Sequence, residues 1–206
     1  MLMRGMSLLQ AVAERIVRGY LASLPGVEVL PASDEGSQGK SGVDVTYISI
    51  GERRNVKIKP DVYFGSDLAK VKDRTLSLYR EDVGRCAIQA VANSSTRAPG
   101  WIYTSEADEI FYYYLAISQP EDRVRELLSE PDDGFFSRLQ VDRDDLLVLP
   151  MAEMRAWFAE QSERCPSRPV AHGDFSAWYR LVPRAEIESS IRGAADRGSI
   201  FGGLAE

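Results

Sequence analysis

The stretch Gly42-Val43-Asp44-Val45-Thr46-Tyr47-Ile48-Ser49-Ile50, then Gly51-Glu52-Arg53, then Asn55-Val56-Lys57-Ile58-Lys59-Pro60-Asp61-Val62-Tyr63-Phe64, reads as a β-hairpin that carries charge where a core-facing strand is apolar. Side chains alternate along a strand, so Lys57, Lys59 and Asp61 share one face. A two-residue turn centred on 51/52 or on 52/53 sets Asp44 opposite Lys59 or opposite Asp61, and in both registers Asp44 joins that face. A slip by a single residue would turn it away.

Upstream, Leu8, Leu9, Val12, Ala13, Ile16, Val17, Tyr20 and Leu21 recur at helical spacing. Ser7 opens this helix with Gln10 three residues on, Pro25-Gly26 closes it, and Glu14, Arg15 and Arg18 lie on its polar side. Val27 to Leu30 suits a short strand, and the Gly/Ser/Asp-rich run Pro31 to Gly42 a loop. Gly39-Lys40-Ser41 in that loop is not a phosphate-binding loop, because Asp34 stands where the first glycine belongs and a strand follows instead of a helix.

Downstream, Arg85 to Asn93 reads as a mostly buried strand with one polar interruption, Gln89. Trp101-Ile102-Tyr103 and Ile110 to Ile117 read as two aromatic β segments, for a sheet of about four or five strands. Of Tyr112-Tyr113-Tyr114, alternation turns at least one into the core, so packing outweighs stacking on nucleobases. Ser118 to Glu130 is polar with helical character, Pro131-Asp132-Asp133-Gly134 a turn, Leu146 to Leu149 a strand, Met151 to Cys165 a helix, Pro166 to Asp174 a loop, Ala177 to Val182 a strand, and Arg184 to about Ile191 a helix. Gly193 to Glu206 reads as a frayed end. Asp142, Asp144 and Asp145 lack the glycine and closing glutamate of a calcium loop and read as a solvated turn. His172, the single histidine, reads as a surface residue.

The chain has 206 residues, 44% hydrophobic and 27% charged, which is globular composition, and no apolar run approaches the roughly 18 residues of a membrane span. No secretory signal is evident after Met1, so a cytoplasmic location is the expectation. Cys86 and Cys165 are too few for a disulfide framework and lack zinc-site spacing. A net charge of -6 argues against bulk electrostatic binding of nucleic acid, so any such contact has to be local. The candidate is Asp67 to Arg80, where Lys70, Lys72, Arg74 and Arg80 surround Tyr79; a charged solvated surface is the plainer account of the same residues.

Helix, charged hairpin, Pro60-Asp61, the Gln89 strand, Gly100-Trp101-Ile102, Ala107-Asp108 and a Tyr-rich strand together resemble the PD-(D/E)XK nuclease superfamily, in a phage or mobile-element form, over roughly Ser7 to Ile117. The resemblance implies an α/β fold: a restriction-endonuclease-like core (about 7–117) with a mixed β-sheet flanked by helices, plus a C-terminal α/β extension (about 118–206), in a single nuclease-like domain. It also implies a Mg²⁺- or Mn²⁺-dependent phosphodiesterase acting on DNA. Carboxylates in such enzymes hold a cation that lowers the pKa of bound water, with a lysine beside the attacking water. Carried onto this chain, the metal ligands are Asp44, Asp61 and Gln89, and the catalytic set is Asp61, Lys59, Lys57, Gln89 and Glu14. Lys70, Lys72, Arg74, Tyr79 and Arg80 would meet the nucleic acid. The third-strand motif departs from the family, for Gln89-Ala90-Val91 stands where an acidic-x-Lys triplet is expected. A catalytically impaired relative that serves as a nucleic-acid-binding or protein-interaction module is therefore the alternative. Read on the residues alone, Asp61 has a blander role, capping a turn or pairing with Lys59.

Overall fold

A computed structural model describes residues 7–31, 42–64 and 84–205. In chain order the elements are α1 (Leu8–Ser23), β1 (Val27–Val29), β2 (Val45–Ser49), β3 (Glu52–Phe64), β4 (Arg85–Asn93), β5 (Ala98–Pro99), α2 (Trp101–Thr104), β6 (Glu109–Ile117), α3 (Glu121–Leu127), α4 (Asp132–Arg138), β7 (Val141–Pro150), α5 (Met151–Gln161), β8 (Ser167–His172), β9 (Phe175–Pro183), α6 (Arg184–Ser190) and β10 (Ala195–Gly198). Among the described residues the strands form two sheets, a six-stranded one in the order β1-β2-β3-β6-β7-β10 and a four-stranded one in the order β5-β4-β9-β8. The first sheet is mixed, because β3 and β6 run parallel, Val56 to Phe64 against Glu109 to Ile117, while its other pairs are antiparallel. The chain is thus mixed α/β, its mixed sheet flanked by helices.

The first helix forms as its pattern dictates. Ser7 caps it, its Oγ accepting from the Gln10 amide at 3.2 Å. Val12, Ala13, Ile16, Val17 and Leu21 form a buried stripe, and the helix stops at Leu24, before Pro25. That stripe packs on Val45, Val56, Ile58, Phe111, Tyr113, Leu115 and Leu146 of the first sheet. Each aliphatic side chain so buried contributes about 1.5–3 kcal/mol in transfer terms. Arg15 ties the helix to the chain beyond α3, donating to the Leu128 and Glu130 carbonyls and to Asp132, with its guanidinium 4.2 Å from the Phe135 ring centre.

The opposite face of the first sheet holds a second core. Ile110, Tyr112, Leu147 and Leu149 meet Cys86, Ile88 and Val182 of the second sheet and Ile102, Met154, Phe158 and Ile187 of the helices. β3 presents Lys57, Lys59 and Asp61 to this same side, since they alternate with Val56 and Ile58 of the first core.

Several elements differ from the expectation. The hairpin turn is Ile50-Gly51, both with positive φ (52° and 76°), not 51/52 or 52/53, so Val45 pairs with Val56, one residue pair from the first expected register and two from the second. Trp101 to Tyr103 is a helical turn, because Gly100 is pressed against β4 and turns the chain there. Asp132 to Gly134 begins α4 instead of a turn, with both aspartates in its first turn where the helix dipole favours them. Ser167 to His172 is an edge strand, folded onto β9 through Gly173 at φ 60°. Asp142, Asp144 and Asp145 lie within β7, and Asp144 is buried. The end of the chain is not frayed: Ala195 to Gly198 pairs with β7, and Ile200 and Phe201 are buried in the first core. Residues 118–206 thereby supply β7 and β10 to the first sheet and β8 and β9 to the second. Among the described residues no helix is long and apolar enough to cross a membrane.

Candidate functional site

The polar face of β3 is graded by its cross-strand neighbours. Lys57 lies level with Ile110, and beyond it Leu149; Lys59 with Tyr112 and Leu147; Asp61 with Tyr114 and Asp145. Lysine and aspartate thus occupy a row whose neighbours pass from apolar to acidic.

Asp44 precedes β2 by one residue, and its amide donates to the Val56 carbonyl at 2.8 Å. With the turn at Ile50-Gly51 it faces Lys57, not Lys59 or Asp61, yet it keeps the expected face because the correction moves the register by whole pairs. The Lys57 ammonium lies 3.0 Å from one carboxylate oxygen of Asp44 and 3.2 Å from the other, and the Ile58 amide donates to the first at 2.7 Å. Both carboxylate oxygens of Asp44 are therefore occupied by donors of β3.

Glu14 reaches the same neighbourhood from α1. Arg18, one helical turn on, donates to its Oε1 at 3.0 Å, to the Leu30 carbonyl at 3.1 Å and to the Asp44 carbonyl at 3.4 Å. Burial raises the Glu14 pKa from its ordinary value, Arg18 opposes the rise, and Asp44 adds to it. The helix thus packs beside the hairpin in the way that brings Glu14 to Asp44.

Lys59 stands at the centre. Its ammonium is enclosed, and that desolvation lowers its pKa; Asp61 and Asp44 oppose the fall while Lys57 adds to it. Its Nζ lies 5.5 Å from the centre of the Tyr179 ring, on β9 of the second sheet. Tyr179 pairs in register with Gln89 of β4, whose Nε2 donates to the Tyr179 hydroxyl at 3.1 Å and whose Oε1 accepts from the Trp101 amide at 3.3 Å. A further joint holds the two sheets together here, the Ala87 amide donating to the Tyr112 hydroxyl at 2.9 Å.

The fold sets Lys57, Lys59 and Asp61 on one face of β3 with Asp44 against Lys57, brings Glu14 of α1 to the neighbourhood of Asp44, and places Gln89 on the facing sheet. It does not make Asp44, Asp61 and Gln89 a single donor set. Asp61 lies four residues beyond Lys57, about 13 Å along the strand from the level of Asp44, and Gln89 belongs to the second sheet with its amide engaged at both ends. Among the described residues no three histidine, cysteine, aspartate or glutamate side chains are grouped to hold a metal ion. A divalent cation does not fit the predicted ligands as they stand, the Lys57 ammonium occupying the position against Asp44 that a cation would take.

Cys86 is no nucleophile, for burial pushes its thiol up to about 12. Tyr113 faces away into the first core; Tyr114 lies near Asp61 and under the Arg143 guanidinium at 5.8 Å. His172 is exposed and stacks on Phe175 at 5.6 Å. Lys70, Lys72, Arg74, Tyr79 and Arg80, like the loop 32–41, lie outside the described residues. Arg18 stands four residues after Glu14 on one helix face, a spacing that announces the pair; no local pattern announces Tyr179, since nothing near it says which sheet its strand joins. Comparisons of this chain with protein-family models, with curated proteins and with solved structures returned no match.

Proposed function

We propose that this chain is a phosphodiesterase of DNA with a restriction-endonuclease-like core, its reacting groups being Lys59, Lys57, Asp44 and Asp61, with Glu14 behind them. One observation carries the reading. The sequence has 20 arginines and five lysines, and Lys57 and Lys59 are the only lysines among the described residues, both on the polar face of β3. Arginine serves the surface ion pairs, while lysine, whose pKa moves readily on burial, is kept for the site.

The two amines have different work. Lys57, held in place by Asp44, draws a phosphate oxygen and offsets the charge that builds on it during attack. Lys59, whose enclosed amine is lowered from the ordinary lysine pKa, is the group that orients the attacking water and takes its proton. Asp61, two residues along the same face, stabilises the ammonium that results. The basic run Lys70, Lys72, Arg74 and Arg80 with Tyr79 follows β3 directly in the chain and would hold flanking phosphates. The resemblance calls for Mg²⁺ or Mn²⁺; because the donors are not grouped for it, no step is assigned to the ion.

A second reading, binding without cleavage, is favoured by the internal neutralisation of Asp44 by Lys57 and of Glu14 by Arg18. Supercoiled plasmid incubated with Mg²⁺, with Mn²⁺ or with chelator decides between them. The proposal expects nicking that falls at least about 100-fold in Lys59→Met and in Asp61→Ala. Plasmid retained without nicking under any condition assigns the second reading, and nicking that survives Lys59→Met removes the site.

A further inference from the structure

Lysine carries a long flexible stem, and the Lys59 amine has acidic neighbours on two sides, Asp44 towards the helix end of the face and Asp61 towards the other. A further contact to the amine comes from the second sheet. The Tyr179 ring presents its face to Nζ at 5.5 Å, and a ring face is where an aromatic system attracts a cation. The ring is itself fixed, because Gln89, its partner in the ladder, holds the hydroxyl and is held in turn by the Trp101 amide at the start of α2. An aromatic fixed by two elements of one sheet, against an amine of the other, is a built arrangement and not a chance contact of surface side chains.

We propose that Tyr179, braced by Gln89, is the positioning residue of the Lys59 amine, keeping it over the middle of the β3 face where a phosphodiester and its attacking water would meet. The inference rests on the phosphodiesterase reading and adds to it the part played by β4 and β9. Gln89 then acts through Tyr179 instead of as a metal ligand. The charged and titratable groups around the amine are Lys57 and Asp61 on β3, Asp44 ahead of β2, Tyr112 level with it on β6 and Tyr179 on β9. Removing the ring face while keeping apolar bulk takes away an interaction that favours the protonated amine, so the amine should lose its proton at lower pH.

The test is side-chain NMR of protein with ¹³C,¹⁵N-labelled lysine, simple because the sequence has five lysines, with Lys59→Arg as the assignment. In the unaltered protein the Lys59 Cε protons should be shifted upfield by the ring. Tyr179→Leu should abolish that shift and lower the Lys59 titration by roughly half to one and a half pH units, whereas Tyr179→Phe should keep the shift. The rising limb of the nicking rate against pH should move down with the titration in Tyr179→Leu. An unshifted Lys59 signal in the unaltered protein, or a Tyr179→Leu titration that is unchanged or higher, overturns the inference. If Tyr179→Leu does not fold, the ring shift in the unaltered protein and in Tyr179→Phe decides. The NMR readings need no substrate, so protein that shows the ring shift but never nicks plasmid refutes the phosphodiesterase reading and leaves the positioning of the amine standing.

Discussion

Replacing Asp144 by alanine should cost the chain a large part of its stability. This carboxylate in the middle of β7 is 8% exposed and accepts four hydrogen bonds: from the Tyr113 hydroxyl at 3.0 Å, the Ser199 hydroxyl at 2.5 Å, the Ile200 amide at 2.8 Å and the Phe201 amide at 2.9 Å. Hydrogen bonds to a charged acceptor are worth about 1.5–3 kcal/mol each. Their simple sum overstates the loss, since the folded state no longer has to desolvate the carboxylate and Ser199 can turn to water. Tyr113, fully buried, and the two backbone amides have no such recourse. A loss of about 3–5 kcal/mol for Asp144→Ala follows, and of about 2 kcal/mol for Asp144→Asn, which keeps one acceptor. Urea unfolding at neutral pH, followed by far-UV circular dichroism and by tryptophan fluorescence, measures both. Hydrogen exchange at the Ile200 and Phe201 amides should accelerate in parallel. Asp144→Ala within about 1 kcal/mol of the unaltered protein, or with the two amides still protected, would refute the reasoning.

Three further outcomes are expected. Gly100→Ala would place a Cβ 2.0 Å from the Gln89 carbonyl oxygen and 2.5 Å from its carbon, both backbone atoms, so β4 has to move; thermal unfolding should show a loss above about 2 kcal/mol, and nicking should fall with it. Ile50→Asn should stabilise by about 1 kcal/mol in the same assay, because Ile50 is 97% exposed, holds φ at 52°, and precedes Gly51 in a turn that favours Asn-Gly. Lys59→Met should abolish nicking yet raise the melting temperature at neutral pH. Since the folded-state pKa of Lys59 lies below its unfolded value, protonation opposes folding at low pH and that penalty lifts as pH rises from the folded towards the unfolded pKa. The variant should therefore show a flatter rise in stability across that alkaline window, and an unchanged profile would contradict it.

The parts of the fold that could be read from the sequence are those set by local pattern. Ser7, the apolar stripe and Pro25-Gly26 define α1 without help from the rest of the chain. Alternation places Lys57, Lys59 and Asp61 together, and their shared face survives a wrong turn because the true register differs by whole residue pairs. The turn is hidden by a β-branched residue in a left-handed conformation: Ile50 reads as strand, which points to a turn among Gly51, Glu52 and Arg53. Ser167 to His172 is exposed throughout and contains Pro169, which suits an edge strand but looks like loop. Asp144 sits in a run of charges, and only the returning chain at Ser199 to Phe201 makes a buried acceptor necessary there. The separation of Asp61 and Gln89 from Asp44 depends on register and on sheet membership, which pairing between distant segments decides.

The way the first sheet is threaded bears on how the nascent chain gains its shape. β6, the strand beside β3, has β7 as its other neighbour, and the edge strand β10 comes from residues 195–198. Once the chain has emerged as far as Ile117 but Val141 to Pro150 has not, β6 presents one row of unpaired peptide groups flanked by Ile110, Phe111 and Leu115, a template for pairing with a neighbouring molecule. Protection arrives with Val141 to Pro150, so a pause in translation between these two segments is the point at which a chaperone has most to do.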